Sequence, residues 1–311
     1  MGFFGYCAHD NNIYRKGHME VARYIKELES IVKKGGPEKN EYNILKTIAT
    51  NLKDISLVEE EMFYKTFKPI LDMNSIIGHT FMKPHGYAGD FELIDKIHLK
   101  QVSDDPFLQK WDNYYHEADS STAVRNRKKY FITELNRINK NNEIYDNTNV
   151  LNLGSGPCRD INEYFLRNDR SGVYIDCLDM DPSAIEYASV VCDNFVENIN
   201  FINRNALRFK PDKKYNLIWS SGLFDYFSDK LFVHLVNRMY QYLRINGELI
   251  IGNFSTQNPG KDEMEVYGKW YLNHRDEETL IDLAIKSGIT REKITVNSEE
   301  TGVNLFLHLK K

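Results

Sequence analysis

The chain has 311 residues, and with 41% hydrophobic and 27% charged residues its composition is that of an ordinary globular protein. This length is long for one compact core and suits a catalytic domain with a helical attachment. The formal net charge is −5. Because general nucleic-acid binding requires a strong basic excess, we expect no nucleic-acid partner.

The sequence contains no membrane signal. No apolar run is long enough to span a bilayer, and the N-terminus lacks the charged and apolar regions of a signal peptide. Myristoylation would require serine or threonine at the sixth position, where Tyr6 stands. We therefore expect no membrane anchor and a cytoplasmic location.

The four cysteines, Cys7, Cys158, Cys177 and Cys192, form no C-x-x-C pair and have no histidine cluster nearby. Two of them lie in predicted core elements, so we expect buried thiols rather than disulfides or zinc ligands. No metal site is expected.

Residues 18–75 are predicted to be helical. Apolar residues such as Val21, Ile25 and Leu28 recur there at helical spacing, and a Gly-Gly-Pro run at 35–37 interrupts the pattern. An apolar stripe of this kind is typical of a core. Two further interpretations stay open, namely the wall of an apolar substrate site and a homodimer interface through these N-terminal helices.

The next segment, 83–90, contains two glycines and a proline, which predict a loop of specific shape. A helical stretch rich in aromatic residues is predicted over 105–140, and its basic run at 125–129 is interpreted as a solvated helix face. We place the domain boundary near residue 140. This gives an N-terminal helical cap domain over 1–140, which includes the substrate-side loop 83–90, and a catalytic domain over 141–311.

Beyond residue 141 strands and helices alternate, which predicts an α/β fold with a mostly parallel, Rossmann-like sheet and helices on both faces. The predicted strands are 149–153, 173–178, 199–202, 215–219, 248–253, 293–297 and 303–309, and the predicted helices are 158–168, 182–195, 228–244 and 276–287. A short polar turn joins the last two strands, so we expect the last strand to run antiparallel.

A glycine-rich turn follows the first predicted strand. Gly154 and Gly156 allow the backbone to turn tightly and to approach a ligand. Asp179 lies 23 residues after Gly156 and ends the second strand, where an acid can accept hydrogen bonds from ribose hydroxyls. The third glycine of a dinucleotide fingerprint is replaced by Arg159, which favours a nucleoside without phosphates.

These segments resemble the class I methyltransferases that use S-adenosyl-L-methionine (SAM). The four motifs of that class correspond to residues 151–158, 177–182, 205–206 and 220–226. The resemblance covers residues 145–311 and implies SAM as the cofactor. Two residues depart from the pattern, since Asn152 occupies the usual acidic position and Cys158 replaces a frequent third glycine.

The resemblance also implies cofactor contacts for particular residues. Gly154 and Gly156 would lie behind the methionine part, Asp179 would hold the ribose, and the loop at 205–206 would lie near the adenine. The full set of cofactor-binding candidates is Tyr87, Asp90, Gly154, Gly156, Asp179, Met180, Asn205, Ala206 and Ser221. For Tyr87 and Asp90 the expected contact is with the amino-acid tail of SAM, and Asp90 has a second interpretation as a helix cap.

A narrower resemblance involves residues 83–90, 222–226, 252–255 and 270–275. These segments look like the methyltransferases that make 3-hydroxy fatty acid methyl ester signals, and the similarity spans residues 75–285. It implies a small-molecule acceptor, with the carboxylate of a 3-hydroxy fatty acid as its specific form.

The catalytic candidates follow from the chemistry of the acceptor. A carboxylate is ionised at pH 7 and needs no base, but it needs a cationic or hydrogen-bonding clamp, for which Arg275, His274, His85 and Lys83 are candidates. An amine or hydroxyl acceptor would need a base, either His85 or Asp225. We therefore name His85, Asp225 and Arg275 as the predicted catalytic residues.

Several candidates have structural interpretations as well. Lys83 and His85 could fix their loop, and Arg275 could belong to an ordinary helix start with acids in its first turn. Trp270 and Tyr271 could wall the substrate or pack in a core. Three functions stay open at this point: a methyltransferase for a fatty-acid carboxylate, an N- or O-methyltransferase for another metabolite, and a SAM-binding regulatory protein without catalysis.

Overall fold

The computed structural model describes residues 10–142, 147–168 and 172–311, with side chains from Gly17 onward. The described residues form two compact units. One, the helical unit, comprises residues 10–88, 101–117 and 260–270, and the other, the sheet unit, comprises the described parts of 89–100, 118–259 and 271–311. Cys7 and Tyr6 lie outside the described residues.

The helices and strands of the described residues are numbered in chain order. The helices are α1 Asp10–Lys33, α2 Tyr42–Asn51, α3 Leu57–Phe67, α4 Ile76–Met82, α5 Phe91–Leu99, α6 Pro106–Glu117, α7 Asp119–Lys140, α8 Arg159–Arg167, α9 Pro182–Val191, α10 Asp229–Tyr240, α11 Lys261–Gly268 and α12 Glu277–Lys286. The strands are β1 Thr148–Leu153, β2 Val173–Asp179, β3 Ile199–Asn203, β4 Tyr215–Ser220, β5 Leu243–Phe254, β6 Ile294–Ser298 and β7 Asn304–Lys310.

The helical unit contains α1 to α4, α6 and α11. Its core is aromatic, with Phe63, Phe67 and Tyr267 stacked on one another. The prediction of helices over residues 18–75 is confirmed, because α1 to α3 bury an apolar stripe in this core. Helix α11 was not predicted, since its eight residues are too short to display a clear helical period.

The helical stretch expected over 105–140 is two helices. The chain breaks at Ala118, which has an extended backbone between α6 and α7. The two helices belong to different units, α6 to the helical unit and α7 to the sheet unit.

The sheet has seven strands in the order β3-β2-β1-β4-β5-β7-β6. Strands β1 to β5 pair in parallel, and β7 runs antiparallel to both β5 and β6. The predicted α/β fold with an antiparallel last strand is confirmed. Strands β1 and β4 are buried almost throughout, because helices cover both faces of the sheet, so the sequence displays them as short apolar runs.

Two apolar layers cover the faces of the sheet. On one face α7, α8 and α9 pack against side chains such as Val150, Leu217 and Ile250. On the other face α10 and α12 pack against the neighbouring strand positions, such as Leu151 and Ile218. Adjacent residues of one strand therefore enter opposite layers.

The two units divide the chain differently from the boundary placed at residue 140. Helix α7 inserts Phe131, Leu135 and Ile138 into the apolar layer of the sheet, so it packs with the strands although it precedes them all. The functional division into 1–140 and 141–311 stays a prediction.

Cys158, Cys177 and Cys192 are free and buried in the structure, as expected. Their side chains lie in the apolar layer under α8 and α9. Among the described residues, no helix combines the length and the apolar character needed to cross a membrane.

Candidate active site

The order of the strands defines a crevice in the sheet unit. Chain connections move outward from β1 through β2 to β3 on one side, and from β4 to β5 on the other, so β1 and β4 flank the point where the strand order reverses. Ligands of open α/β sheets bind at this switch point, beyond the carboxyl ends of the strands. Eight of the predicted cofactor and catalytic positions lie at or directly after the carboxyl ends of these parallel strands: Gly154, Gly156, Asp179, Met180, Asn205, Ala206, Ser221 and Asp225.

The turn after β1 has the predicted geometry. Gly154 and Gly156 have φ angles of +66° and +54°, which residues with a side chain adopt only with strain. A Cβ atom on Gly156 would meet no heavy atom within 4 Å. Ser155 between them is buried, and its Oγ has no hydrogen-bond partner among the described residues. The turn thus offers open backbone and one unsatisfied polar group.

Asp179 lies at the end of β2 and is tied to the glycine turn. Its Oδ2 accepts a hydrogen bond of 3.0 Å from the Gly156 backbone N–H, and its Oδ1 accepts one from the Asp181 N–H. Burial raises the pKa of the Asp179 carboxyl above its usual value, although both backbone donors favour the ionised form. Each oxygen keeps a further lone pair for a ligand hydroxyl.

Hydrogen bonds involving the side chains of Asn205 and Arg238 fix the loop after β3. Asn205 Oδ1 accepts a hydrogen bond from the Leu207 N–H, and Ala206 is buried. The guanidinium of Arg238, on α10, donates to the carbonyls of Ala206, Leu207 and Phe209. Arg238 was not predicted to act here, and its helix carries no sequence signal for this contact. Met180, next to Asp179, is 67% exposed.

Asp225 lies in a short 3-10 turn, Phe224–Tyr226, after β4. It is 1% exposed. Its Oδ1 accepts a hydrogen bond of 2.7 Å from the Phe254 N–H, and its Oδ2 has no hydrogen-bond partner among the described residues. Burial raises the pKa of Asp225 to about 6, more than the Phe254 N–H and the nearby Arg127 and Arg275 lower it.

Asp160 is a second acid with a raised pKa at this edge. It lies in the first turn of α8, and burial raises its pKa to about 6 although the Ile161 N–H donates to its Oδ1. Asp160 follows β1 and Asp225 follows β4, the two strands that flank the switch point, and burial raises the pKa of both carboxyls.

Arg275 is buried, with 3% of its side chain exposed, and its contacts lie in the sheet unit. Its guanidinium donates to the carbonyls of Phe224 and Phe227, to Asn253 Oδ1 and to the Asp229 carboxylate. These contacts occupy all three nitrogens of the guanidinium, which favours a structural role for Arg275. They do not test its predicted role as a clamp for the acceptor carboxylate.

Three of the four segments of the narrower resemblance contact one another around this turn. Asn273 donates from its backbone and its side chain to the Asp225 carbonyl, at 2.8 and 3.0 Å. The Arg275 N–H donates to the Phe254 carbonyl. Residues 222–226, 252–255 and 271–275 therefore form one hydrogen-bonded cluster around Asp225.

Arg127, on α7, was missed. The basic run at 125–129 was interpreted as a solvated face, and for Arg127 this is wrong, because its side chain is buried with 7% exposure. It donates from Nη1 to the Ser221 carbonyl at 2.7 Å, and its guanidinium lies 5.6 Å from the Phe254 ring centre. The run 125–129 contains several basic residues in succession, so the spacing of apolar residues does not show which of them is buried.

The remaining candidates lie elsewhere. Lys83, His85 and Tyr87 belong to the helical unit, where Lys83 Nζ donates to the Lys269 carbonyl at 2.8 Å. That contact supports the loop-fixing interpretation of Lys83. Asp90 belongs to the sheet unit and caps α5 by accepting from the Leu93 N–H.

The aromatic pair at 270–271 is divided. Trp270 is buried in the helical unit, as its core interpretation expects, while Tyr271 is 62% exposed. His274 lies in the sheet unit, with Nε2 3.3 Å from Asn258 Nδ2. The cofactor contacts of Tyr87 and Asp90 and the catalytic role of His85 stay predictions.

Residues 144–294 match the sequence model of a family described as a methyltransferase domain. The match contains β1 to β5 and the turns that carry Gly154, Asp179 and Asp225. The methyltransferase class predicted from the sequence is confirmed over this domain, and the domain supports SAM as its cofactor.

A curated relative is malonyl-[acyl-carrier protein] O-methyltransferase 1 from Ilyobacter polytropus, which is 27% identical over 130 residues. The alignment covers 42% of this chain and 43% of that relative. The chain thus matches less than half of the relative's length.

Two solved structures share the fold. One, described as a possible exported protein from Bordetella parapertussis, has a TM-score of 0.60 and 15% identity, covering 95% of this chain and 96% of the other. The second is the SAM-dependent methyltransferase SibL in its apo form, with a TM-score of 0.52 and 11% identity over 82% of this chain and 73% of the other. At these identities the likeness is one of fold.

Proposed function

We propose that this protein transfers the methyl group of SAM to a carboxylate of a small molecule, in the specific form of a 3-hydroxy fatty acid that becomes a methyl ester. The observation that carries the proposal is the open backbone of the glycine turn beside Asp179 at the switch point. SAM supplies an electrophilic methyl group bound to its sulfur.

The residues at the switch point fit SAM better than a nucleotide with phosphates. Gly156 leaves room for a ligand against the backbone, and Asp179 offers lone pairs to the two hydroxyls of a ribose. Arg159 pairs with Asp95 rather than facing the turn, with Nε 2.5 Å from Asp95 Oδ1.

A carboxylate acceptor needs no catalytic base. Its oxygen is already ionised at pH 7, so attack on the methyl carbon and cleavage of the carbon–sulfur bond move no proton. The enzyme must align the two substrates and exclude water, and positioning supplies much of the rate. The curated relative is named as an O-methyltransferase, which supports oxygen as the atom methylated.

The orphan oxygen of Asp225 favours a second candidate, methylation of an amine or hydroxyl. A buried carboxylate with a free Oδ2 and a pKa near 6 can accept a proton from such an acceptor near neutral pH. The two candidates differ in whether turnover depends on this base.

The test is a panel assay on the purified full-length protein. SAM is incubated with 3-hydroxy fatty acids, amines and phenols, and release of S-adenosylhomocysteine and the methylated product are measured by mass spectrometry. We expect methyl esters of the acids. Turnover confined to amines or phenols would replace the ester proposal with the second candidate, and a lack of SAM binding by calorimetry would overturn both.

A further inference from the structure

Arg127 is a buried cation at the crevice. It projects from the middle of α7, its side chain is 7% exposed, and its Nη1 donates to the Ser221 carbonyl directly beyond β4. Gly222 follows Ser221. A Cβ atom at Gly222 would lie 3.4 Å from Arg127 Nη1, so the guanidinium lies directly against this turn. The charge therefore lies at the carboxyl end of β4, one of the two strands that flank the switch point.

No carboxylate of the described residues lies within ion-pair distance of Arg127. Its recorded contacts are the Ser221 carbonyl and the face of Phe254. Asp225 and Asp160 act on it only at longer range, and each of these acids accepts its hydrogen bond from a backbone N–H instead.

Several other buried or partly buried cations of the sheet unit have acidic partners, although Arg238 is bonded to three backbone carbonyls instead. Arg159 pairs with Asp95, Arg137 with Glu248, and Lys213 with Asp176. Arginine stays charged in proteins, and burying a charge without an anionic partner is strongly unfavourable. A buried arginine that lacks such a partner at a ligand-binding edge is suited to an anion supplied by a ligand.

We propose that Arg127 is a carboxylate-binding residue of the active site. The planar guanidinium matches a carboxylate through two parallel hydrogen bonds. Within the proposed function, on which this inference rests, two substrates offer one: the amino-acid end of SAM and the acid acceptor. The chemistry is the same, and the cofactor and the acceptor are distinguished by experiment.

The experiment uses full-length wild type and three variants. R127Q removes the charge. R127K keeps the charge but cannot form the two parallel hydrogen bonds of a guanidinium, and K129M is the matched control. Lys129 lies two residues farther along α7 with 65% of its side chain exposed, so K129M makes the same change in net charge away from the crevice. Circular dichroism and thermal melting establish that each variant is folded.

The ligands separate the two sources. Calorimetry measures the Kd of SAM and of decarboxylated SAM, which lacks the carboxylate, and then the Kd of 3-hydroxypalmitate in the presence of S-adenosylhomocysteine. If the partner is the cofactor, R127Q weakens SAM about 10- to 100-fold and leaves decarboxylated SAM nearly unchanged. If the partner is the acceptor, SAM binding is unchanged and 3-hydroxypalmitate weakens by that factor.

In both cases R127K shows an intermediate loss and K129M matches wild type. Equal losses for SAM and decarboxylated SAM, or no loss for any ligand in folded R127Q and R127K, would overturn the inference. A wild-type protein that binds no SAM would instead overturn the proposed function, so the two failures are distinguishable.

Discussion

At the scale of single residues, burial decides the ionisation of the acids in the crevice. Asp225 and Asp160 both have a pKa raised to about 6, chiefly because the surrounding protein excludes water from their charged forms. Backbone N–H groups donate to each carboxyl, which favours the charged form but does not offset the loss of hydration.

The raised pKa of Asp225 predicts a pH dependence of stability. The folded-state pKa of about 6 exceeds the ordinary value of 3.8. The stabilising contribution of the protonated form is therefore complete below the lower value and is lost as the pH rises through 6. D225N keeps an oxygen that accepts from the Phe254 N–H but does not ionise, so its stability does not fall as the pH rises through 6.

Urea unfolding of wild type and D225N at pH 5 and pH 7.5 checks this prediction. We expect wild type to lose about 1–2 kcal/mol more than D225N between the two pH values. D193N, which replaces an exposed acid after α9, is the control and should follow wild type. Parallel pH profiles for wild type and D225N would contradict the prediction.

Asp179 is the residue on which the ribose contact depends. We expect D179A to weaken SAM binding by about 1–3 kcal/mol, because a charged hydrogen-bond acceptor is removed. Calorimetry at pH 7.5 measures the effect, with D193N again as the exposed control. An unchanged affinity would mean that the ribose does not lie at the end of β2.

At the scale of elements, Arg275 joins three pieces of the sheet unit. It ties the 3-10 turn at Phe224–Tyr226 to β5 through Asn253 and to the start of α10 through Asp229. The partner Asp229 is mostly exposed while Arg275 is buried. Most of the stabilisation should therefore come from the bonds to buried carbonyls and to Asn253.

Unequal effects of two substitutions test this interpretation. R275K cannot reproduce the planar set of donors, and we expect it to lower the free energy of unfolding by about 2–4 kcal/mol. D229N removes only the exposed side of the pair and should cost about 0–1 kcal/mol. Denaturant unfolding of both variants measures the difference, and equal costs would contradict it.

Helix α5, which Asp90 caps, is also fixed by side-chain hydrogen bonds to other elements of the sheet unit. Asp95, on α5, accepts hydrogen bonds from Arg159 on α8 and from Tyr187 on α9. The same Arg159 that argued against a dinucleotide is thus a structural link between α5 and the helices behind the glycine turn. The sequence indicated what Arg159 excludes but not what it contacts.

At the scale of the whole molecule, both units are assembled from separate stretches of chain. Residues 260–270 join the helical unit although they lie within the matched methyltransferase domain, and α7 joins the sheet although it precedes β1. Phe131 and Leu135 of α7 are fully buried in the apolar layer of the sheet.

A truncation at residue 140 should therefore fail to give a stable sheet unit. Fragment 141–311 lacks α7 and would leave its apolar layer open, whereas fragment 118–311 retains the helix. Both fragments lack α5, so they differ only in α7; we expect 118–311 to melt at a higher temperature than 141–311, and 141–311 to bind a hydrophobic dye and aggregate. Equal melting temperatures for the two fragments would contradict the assignment of α7 to the sheet.

The alternation of strands and helices, the antiparallel last strand, the glycine turn and the acid at the end of β2 were all determined by the sequence. These features depend on local patterns, because side-chain period and turn-forming residues act within a few positions of one another. The tertiary structure decided the burial of Arg127, the contacts of Arg275 and the packing of α7. Each of these depends on contacts between segments far apart in the chain, such as the hydrogen bond from Arg127 to the Ser221 carbonyl 94 residues away. The local pattern of apolar and polar residues does not indicate which helix face lies at the crevice.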